Sequence, residues 1–273
     1  SVRVSKEIVA GGVIVILVGA IIASRINALN PVVKELDIPL KKHMQNNSLK
    51  IVAVSDIHLG TMVCNSHFEK IVNEINALHP DLIVLVGDIV DEDVEPVIRN
   101  NFGEHLLALK APYGVYGITG NHEYIGGVEQ TCRYLEEHGV RMLRDSVVDV
   151  KGLLIVGRED RMVQRFAPKG RKSLHELLKD VSRNQPVIVL DHQPLELHEA
   201  VDEAVDLQLS GHTHNGQLFP FNFIASAVYE VSWGYLRKGD THFYVSCGIG
   251  TWGPPLRSGN RPEIVSITLH GTP

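Results

Sequence analysis

The chain has little cysteine and no excess of positive charge. Its 273 residues include three cysteines, Cys64, Cys132 and Cys247, which are too few and too widely spaced for a disulfide framework or a cysteine-rich zinc site. The formal net charge of −6 gives no reason to expect nucleic acid as a partner. Any metal site must therefore use histidine, aspartate and asparagine. Fourteen histidines make their placement informative.

Charge is also missing from one long segment near the start of the chain. The run "IVAGGVIVILVGAIIAS", residues 8–24, would span as a helix about 25 Å of a hydrocarbon core roughly 30 Å thick. A buried core helix is the alternative, but core helices usually carry a polar face and this segment has none. A signal peptide fits less well, because no small-residue cleavage site closes the run. We therefore predict a membrane-anchoring, transmembrane helix within residues 1–30.

The basic residues that flank this segment bear on its orientation. More of them follow it than precede it, which favours a catalytic domain on the cytoplasmic face of the cell membrane. They are Arg3 and Lys6 before the segment, and Arg25, Lys34, Lys41 and Lys42 after it. The polar stretch "KELDIPLKKHMQNNS" then predicts a linker over residues 31–48, followed by one catalytic domain over residues 49–273.

Short apolar runs alternate with longer amphipathic segments throughout the remainder. Strands are predicted for "LKIVAVS", "DLIVLVG" and "YGVYGIT", and helices for "SHFEKIVNEINALH", "VEPVIRNNFGEHLLALK" and "VEQTCRYLEEHG". This alternation is typical of α/β architecture. The second half, with strands at "GLLIVG", "PVIVLD", "DLQLS", "HFYVS" and "PEIVSITL", contains more strands than helices, which suggests a second sheet packed on the first.

Five of these strands end in side chains that can bind a metal ion. They lead into Asp56-Ile57-His58, Gly87-Asp88-Ile89-Val90-Asp91, Gly120-Asn121-His122-Glu123, His192 and Gly211-His212-Thr213-His214. Each has an ordinary explanation by itself, as a helix cap, a turn residue or a core histidine. Because ligands collect at the carboxyl ends of strands in α/β sheets, all five together predict one site.

The residue types agree with a pair of transition-metal ions. Imidazole, carboxylate and amide ligands form a mixed nitrogen and oxygen set that suits Mn²⁺, Fe or Zn²⁺. A carboxylate oxygen can bridge two ions about 3.5–4 Å apart, and such a pair activates water and holds the oxygens of a phosphoryl group. The sequence therefore predicts hydrolysis of a phosphate ester.

Taken in order, these motifs resemble the five motifs of the calcineurin-like metallophosphoesterases, over about residues 50–269. The resemblance implies a four-layer αββα sandwich and two divalent ions, with Mn²⁺ expected first. It also implies that a metal-bridging hydroxide hydrolyses a phosphodiester or pyrophosphate bond. By position, Asp56, His58 and His214 would bind one ion, Asn121, His192 and His212 the other, and Asp88 would bridge them. His122 would be the general acid or a donor to the transition state.

The apolar segment and the ending "CGIGTWGPPLRSGNRPEIVSITL" are similar to a branch of membrane-associated bacterial phosphodiesterases that includes enzymes acting on nucleotide-linked lipids. Cys247 departs from that branch, where we would expect a basic residue. Arg257 is then the candidate phosphate contact, with a solvated surface arginine as the alternative. Asp191 is either a partner of His192 or a surface carboxylate at a strand end.

Two other functional classes also use histidine clusters or this fold. A metallo-β-lactamase-like hydrolase needs His-x-His-x-Asp-His, but Asn215, Gly216 and Gln217 follow His214. A non-catalytic metal-binding scaffold of the same fold would lack ligands, and none are missing here.

An aromatic segment follows the last two histidines. "QLFPFNFIASAVYEVSWGYLRKGD" contains six of the sixteen aromatic residues, and Phe219, Phe221 and Phe223 would share one face if the segment were extended. Core packing is one explanation. The other is a rim that admits the tail of an amphiphilic, lipid-linked substrate beside a bilayer.

Overall fold

A computed structural model describes residues 5–46 and 48–272. Arg3, in the predicted anchor flank, and residue 47 of the predicted linker lie outside the described residues. The apolar run is a helix, α1 (Lys6–Ala28), which is long and apolar enough to cross a membrane. Residues 5–23 are exposed, and Ser24 and Ala28 are buried against the rest of the protein.

The remaining chain forms two six-stranded mixed sheets. The first has the spatial order β1 (Val32–His43), β12 (Glu263–Thr272), β2 (Ser48–Val54), β3 (Leu82–Val86), β4 (Val115–Ile118) and β5 (Val140–Met142). The second has the order β10 (Gly234–Lys238), β11 (Thr241–Val245), β9 (Leu207–Ser210), β8 (Val187–Leu190), β7 (Leu153–Gly157) and β6 (Ser146–Val150). The prediction of a second sheet is therefore confirmed.

Helices cover the outer faces of both sheets. The first half of the chain contains α2 (Asn65–Ala77), α3 (Glu95–Arg99), α4 (Phe102–Leu107), α5 (Asn121–Gly126) and α6 (Val128–Glu137). The second half contains α7 (Leu174–Leu178), α8 (His198–Asp202) and α9 (Phe221–Val228), with 3₁₀ turns at Arg161–Arg165 and His214–Gly216.

Three apolar clusters show how these layers pack. One lies between the sheets and contains Ile51, Ile155 and Ile267. The second joins the first sheet to helices that include α2 and α6, and the third joins the second sheet to α7 and α8. The order of layers is helix, sheet, sheet, helix, so the predicted αββα sandwich is confirmed.

The strands that carry the candidate ligands run in the same direction within each sheet. Strands β2, β3 and β4 pair parallel in the first sheet, and β8 and β9 pair parallel in the second. Their carboxyl ends therefore meet at one edge of the sandwich, which is where the side chains after each strand lie.

The prediction of a linker over residues 31–48 is wrong for most of its length. Residues 32–43 form β1, which pairs parallel with β12 at the edge of the first sheet. As an edge strand, β1 fully buries only Ile38 and Leu40, with the exposed Pro39 between them, and the charged residues on either side of this pair conceal the pattern. The folded sandwich therefore includes this segment.

The helix predicted for "VEPVIRNNFGEHLLALK" is divided into α3 and α4. Asn101 separates them with a left-handed backbone at φ 55°. Asparagine tolerates this conformation better than most residues, so the break has a local cause.

Candidate metal centre

The histidine and aspartate side chains after five strands come together where the two sheets meet. Two groups have ligand atoms within 4.8 Å of one another: Asp56 with His58 and His214, and Asp88 with His192 and His212. A third group of the same kind combines His58, Asp88 and His122. The first sheet supplies the aspartates, and the second supplies His192, His212 and His214.

Asp88 faces both of the first two groups. Its Oδ2 lies 3.1 Å from His192 Nε2 and 3.9 Å from His58 Nε2. Burial opposes ionisation of Asp88, but the nearby histidines, with His192 foremost, outweigh burial and hold its pKa below the ordinary value. Asp88 is therefore a carboxylate placed between two sets of imidazoles.

Asp56 connects the two sheets directly. Its carboxylate accepts hydrogen bonds from the backbone of His212 at 3.0 and 3.1 Å, and its Oδ1 lies 3.4 Å from His214 Nε2. A Cβ at Gly211 would lie 2.4 Å from Asp56 Oδ2, so only glycine permits this approach. The glycine of "GHTH" is explained by that contact.

The backbone at the site is held in an uncommon conformation. Positive φ angles, between 48° and 69°, occur at Asp56, His58, Asp88, His212 and His214. Non-glycine residues rarely adopt this region, and clusters of such residues are typical of functional sites. The turns after the strands aim these side chains at one point at a cost in local stability.

Several imidazoles have the tautomer or charge that metal binding needs. His192 Nδ1 donates to Val86 O at 2.8 Å, which directs Nε2 towards Asp88. Burial lowers the pKa of His212 to about 4 and lowers that of His214 well below its ordinary value. His212 and His214 are therefore neutral near pH 7 and offer lone pairs.

Unpartnered polar atoms indicate that the donor set fits metal ions. Within the described residues, Asn121 Oδ1 is buried without a hydrogen-bond partner, and His192 Nε2, 3.1 Å from Asp88 Oδ2, is not aligned to form a hydrogen bond with it. His58 Nε2 and His214 Nε2 lie 3.1 Å apart and both belong to the group that includes Asp56. Buried polar atoms left without partners are costly, and cations coordinated by these donors would satisfy them.

His122 lies at the edge of this cluster and is partly exposed. Its Nδ1 is 3.0 Å from Asp91 Oδ1, and its ring packs edge-on against His58 with centroids 4.6 Å apart. Burial acts to lower the pKa of His122, but hydrogen bonding to Asp91 and the charge of Asp88 outweigh burial and raise it. With Nδ1 directed at Asp91, Nε2 is the nitrogen available to a ligand.

Asp91 and Glu123 stand within the sequence motifs, but the motifs alone predict no role for them. Asp91 contacts His122 and also accepts from His58 Nδ1 at 3.3 Å, so it orients two imidazoles. Glu123 is fully buried and accepts from the backbone of Asp88, Ile89, Val90 and Gly120. Burial and the charge of Asp88 raise the pKa of Glu123 to about 7. The sequence signal that could have identified these two residues is their position in the motifs, three residues after Asp88 and two residues after Asn121.

Arg257 contradicts both sequence-based readings, because it has no exposed surface. Its guanidinium donates to the carbonyls of Cys247 at 2.7 Å and Gly250 at 2.6 Å, and Nη2 lies 3.2 Å from His214 Nδ1. The loop carbonyls point inward and satisfy the charge, so Arg257 supports His214 and is closed to substrate.

Asp191 is a buried partner in an ion-pair network. It accepts from Arg158 at 3.1 Å and from Arg171 at 2.8 Å. The alternative of a surface carboxylate is excluded by its burial.

The aromatic segment is exposed but is not extended, so the prediction that its phenylalanines share one extended face is wrong. Phe221 and Phe223 lie in α9, where positions two apart point about 200° away from each other. Phe219 precedes the helix and packs edge-on against Phe223, with centroids 5.9 Å apart. All three rings are more than half exposed, so core packing does not explain them. The other end of α9 reaches the cluster, where the rings of Tyr229 and His212 lie 6.2 Å apart.

Comparisons with known proteins agree with this geometry. Residues 49–216 match the family model for the calcineurin-like phosphoesterases. The chain is 35% identical over 244 residues to an uncharacterized metallophosphoesterase of Helicobacter pylori, covering 88% of this chain and 64% of that protein. It is 33% identical over 243 residues to an uncharacterized metallophosphoesterase of Aquifex aeolicus, covering 88% and 92%.

A vertebrate relative and a solved structure extend the comparison. The chain is 33% identical over 288 residues to a transmembrane protein with metallophosphoesterase domain from Danio rerio, covering 98% of this chain and 65% of that protein. It thus spans about two thirds of the length of several relatives it matches. A 5'-nucleotidase precursor from Thermus thermophilus shares the fold, with a TM-score of 0.50, 14% identity and coverage of 83% and 55%. The chain belongs to the calcineurin-like phosphoesterase family.

Proposed function

We propose that this protein uses two divalent transition-metal ions to hydrolyse a phosphodiester or pyrophosphate bond. The observation that supports this most is the convergence of six histidine and aspartate side chains from both sheets, in two groups whose ligand atoms lie within 4.8 Å of one another. Asn121 Oδ1, next to His122 in the chain, is buried without a hydrogen-bond partner and is the seventh donor of the proposal. The described donors are imidazole nitrogens, carboxylates and one amide oxygen, the set that suits Mn²⁺ first, with Fe and Zn²⁺ as alternatives.

The seven side chains divide between two ions. Asp56, His58 and His214 bind one ion in this proposal, and Asn121, His192 and His212 bind the other. Asp88 contacts both, since its Oδ2 lies between His58 and His192. When bound, such ions supply Lewis acidity and lower the pKa of bound water.

His122 is the proposed catalytic residue outside the ligand set. Asp91 Oδ1 lies 3.0 Å from Nδ1, which leaves Nε2 of His122 to donate a proton or hydrogen bond to the leaving oxygen. Arg257 and Glu123 take no part in this step. They hold His214 and the loop after β3 in place.

The substrate in this proposal is amphiphilic or lipid-linked. Its tail contacts the exposed rings of Phe219, Phe221 and Phe223, and its phosphate reaches the cluster at the other end of α9. The protein is anchored in the cell membrane through α1, and the basic residues that follow the anchor favour the cytoplasmic face.

Metal analysis combined with an activity screen tests the proposal. Purified protein reconstituted separately with Mn²⁺, Fe²⁺ and Zn²⁺ is expected to hold about two ions per chain and to hydrolyse bis-p-nitrophenyl phosphate. Protein that holds no transition metal would contradict the proposed site. Protein that binds two ions but turns over neither this diester nor a pyrophosphate would instead be a metal-binding scaffold.

A further inference from the structure

An uncharged, exposed apolar surface lies beside the candidate site. We call it the aromatic face, defined by Phe219, Phe221, Phe223, Ile224, Val228 and Trp252. Each of these side chains is between 52% and 64% exposed. Residues 217–229 and 243–256, which carry them, contain no charged residue. Contiguous exposed apolar surface of this kind marks a contact with a protein, a ligand or a membrane.

Two chain segments meet to form this surface. The side chain of Gln217 bonds to the backbone of Trp252 in both directions, at 3.1 and 3.2 Å. Phe219 N donates to Ser258 Oγ at 2.8 Å. The start of α9 is thereby attached to the loop of residues 251–258.

The same loop receives the end of α1. Arg257 N donates to Ser24 O at 3.0 Å, and Asn27 Nδ2 donates to Arg257 O and Asn260 O at 3.0 and 2.6 Å. Arg25 Nη1 reaches Pro255 O at 3.3 Å. The apolar helix therefore leaves the domain next to the aromatic face, with no spacer between them.

The length of α1 constrains where that loop must lie. The uncharged run between Glu7 and Arg25 has 17 residues and spans about 25 Å, against a hydrocarbon core roughly 30 Å thick. Because Ser24 is already buried against the domain, the bilayer surface must lie at the level of the contacting loop. The aromatic face is then at the depth where tryptophan and phenylalanine side chains are favourable.

We propose that the aromatic face rests in the interfacial layer of the same bilayer that α1 enters. The occupant of this surface is lipid. Tyr229 directly follows α9, and its ring lies 6.2 Å from that of His212, so the aromatic face adjoins the metal cluster. Docking in this way places the metal cluster over the headgroups. This docking rests on the proposed anchoring through α1 but requires neither bound metal nor catalysis, so it can fail while the proposed hydrolysis holds, and the reverse.

Brominated lipids test this contact through a native probe. The chain has two tryptophans, Trp233 and Trp252, and Trp252→Phe removes only the one on the aromatic face. The full chain and this variant are reconstituted into nanodiscs of phosphatidylcholine with or without bromine on the upper acyl carbons. We expect bromolipid to reduce the emission of the full chain more than that of the variant. The difference between the two spectra is the emission of Trp252, which should be blue-shifted and protected from acrylamide.

Leu107 provides the matched control. It is an exposed apolar residue at the end of α4, beside the carboxyl end of α2, whereas the amino end of α2 lies near Arg25. That separation is about 20 Å along α2. In the Trp252→Phe background, Leu107→Trp is expected to add emission that acrylamide quenches and bromolipid does not.

Two results would overturn the proposal. One is equal bromolipid quenching of the full chain and Trp252→Phe. The other is that bromolipid does not quench Trp252 while its protection from acrylamide increases with protein concentration. That result would show that the aromatic face contacts a second copy of the chain. A further variant, Phe221→Asp with Phe223→Asp, is expected to reduce the bromolipid quenching of Trp252.

Discussion

The metal cluster and the aromatic face both draw on one segment, residues 211–229, and they are built in opposite ways. At the start of the segment, His212 and His214 are held in left-handed backbone conformations among buried carboxylates from the other sheet. Further along, Phe221 and Phe223 project from a short helix with no charged neighbour in sequence. The first arrangement needs the whole sandwich, whereas the second needs one helix and the loop of residues 251–258. We therefore expect that mutations can change metal binding and catalysis separately from contacts made by the aromatic face.

The largest expected effect is at the carboxylate that faces both histidine groups. Asp88→Ala removes the oxygen between His58 and His192, so both ions should be lost and activity should fall at least about 10³-fold on every substrate. Elemental analysis and circular dichroism check this. Asp240→Ala, at an exposed carboxylate, is the control. Retention of two ions by Asp88→Ala would disprove the bridging role.

His122→Ala should separate catalysis from metal binding. We expect two ions to remain and kcat to fall about 10²–10⁴-fold, the range of general acid–base assistance. The loss should be the same for a soluble diester and a lipid-linked one, since the ring acts at the phosphate. An emptied metal site in this variant would mean that His122 is a ligand.

Asp91→Asn should have a smaller effect of the same kind. The carboxylate orients His122, and loss of such a partner costs about 10–100-fold in activity. Because Asp91 acts through that ring, adding Asp91→Asn to His122→Ala should cost little more. Full additivity of the two losses would show that Asp91 acts mainly elsewhere, for example through His58.

The smallest effect is expected at the aromatic end, and only for one class of substrate. Replacing Phe219, Phe221 and Phe223 with serine should raise KM for a lipid-linked diester or pyrophosphate about tenfold, and should leave bis-p-nitrophenyl phosphate unaffected. Leu107→Ser is the control for loss of an exposed apolar side chain. Equal losses on both substrates would show that the rings are structural and that the two ends cannot be separated.

Features set by local pattern could be predicted from the sequence. Helix α1 and five strands can be recognised in the sequence because each is a continuous apolar stretch whose composition determines its environment. The five strands are those before Asp56, Asp88, Asn121, His192 and His212. Parallel strands present their carboxyl ends at one edge, so the position of the site followed from the fold class.

Features that depend on distant partners could not be predicted in this way. Strand β1 is polar in sequence and becomes a strand by pairing with β12, more than 200 residues away. Asp91 and Glu123 stand beside recognised motif residues, yet their roles emerge only from contacts with His122 and with the loop after β3.

The sequence by itself determined which side chains could carry the chemistry and roughly where each element begins, because hydrophobic periodicity and residue type act over a few positions. Only the tertiary structure decided what each side chain does. Arg257 reads as a phosphate contact or a surface arginine, but four inward-facing groups from residues 247–260 bury it behind His214. Phe219, Phe221 and Phe223 read as an extended rim, but they stand around a helix beside the end of α1. Burial and neighbourhood are set by contacts between distant parts of the chain, and a local pattern does not encode them.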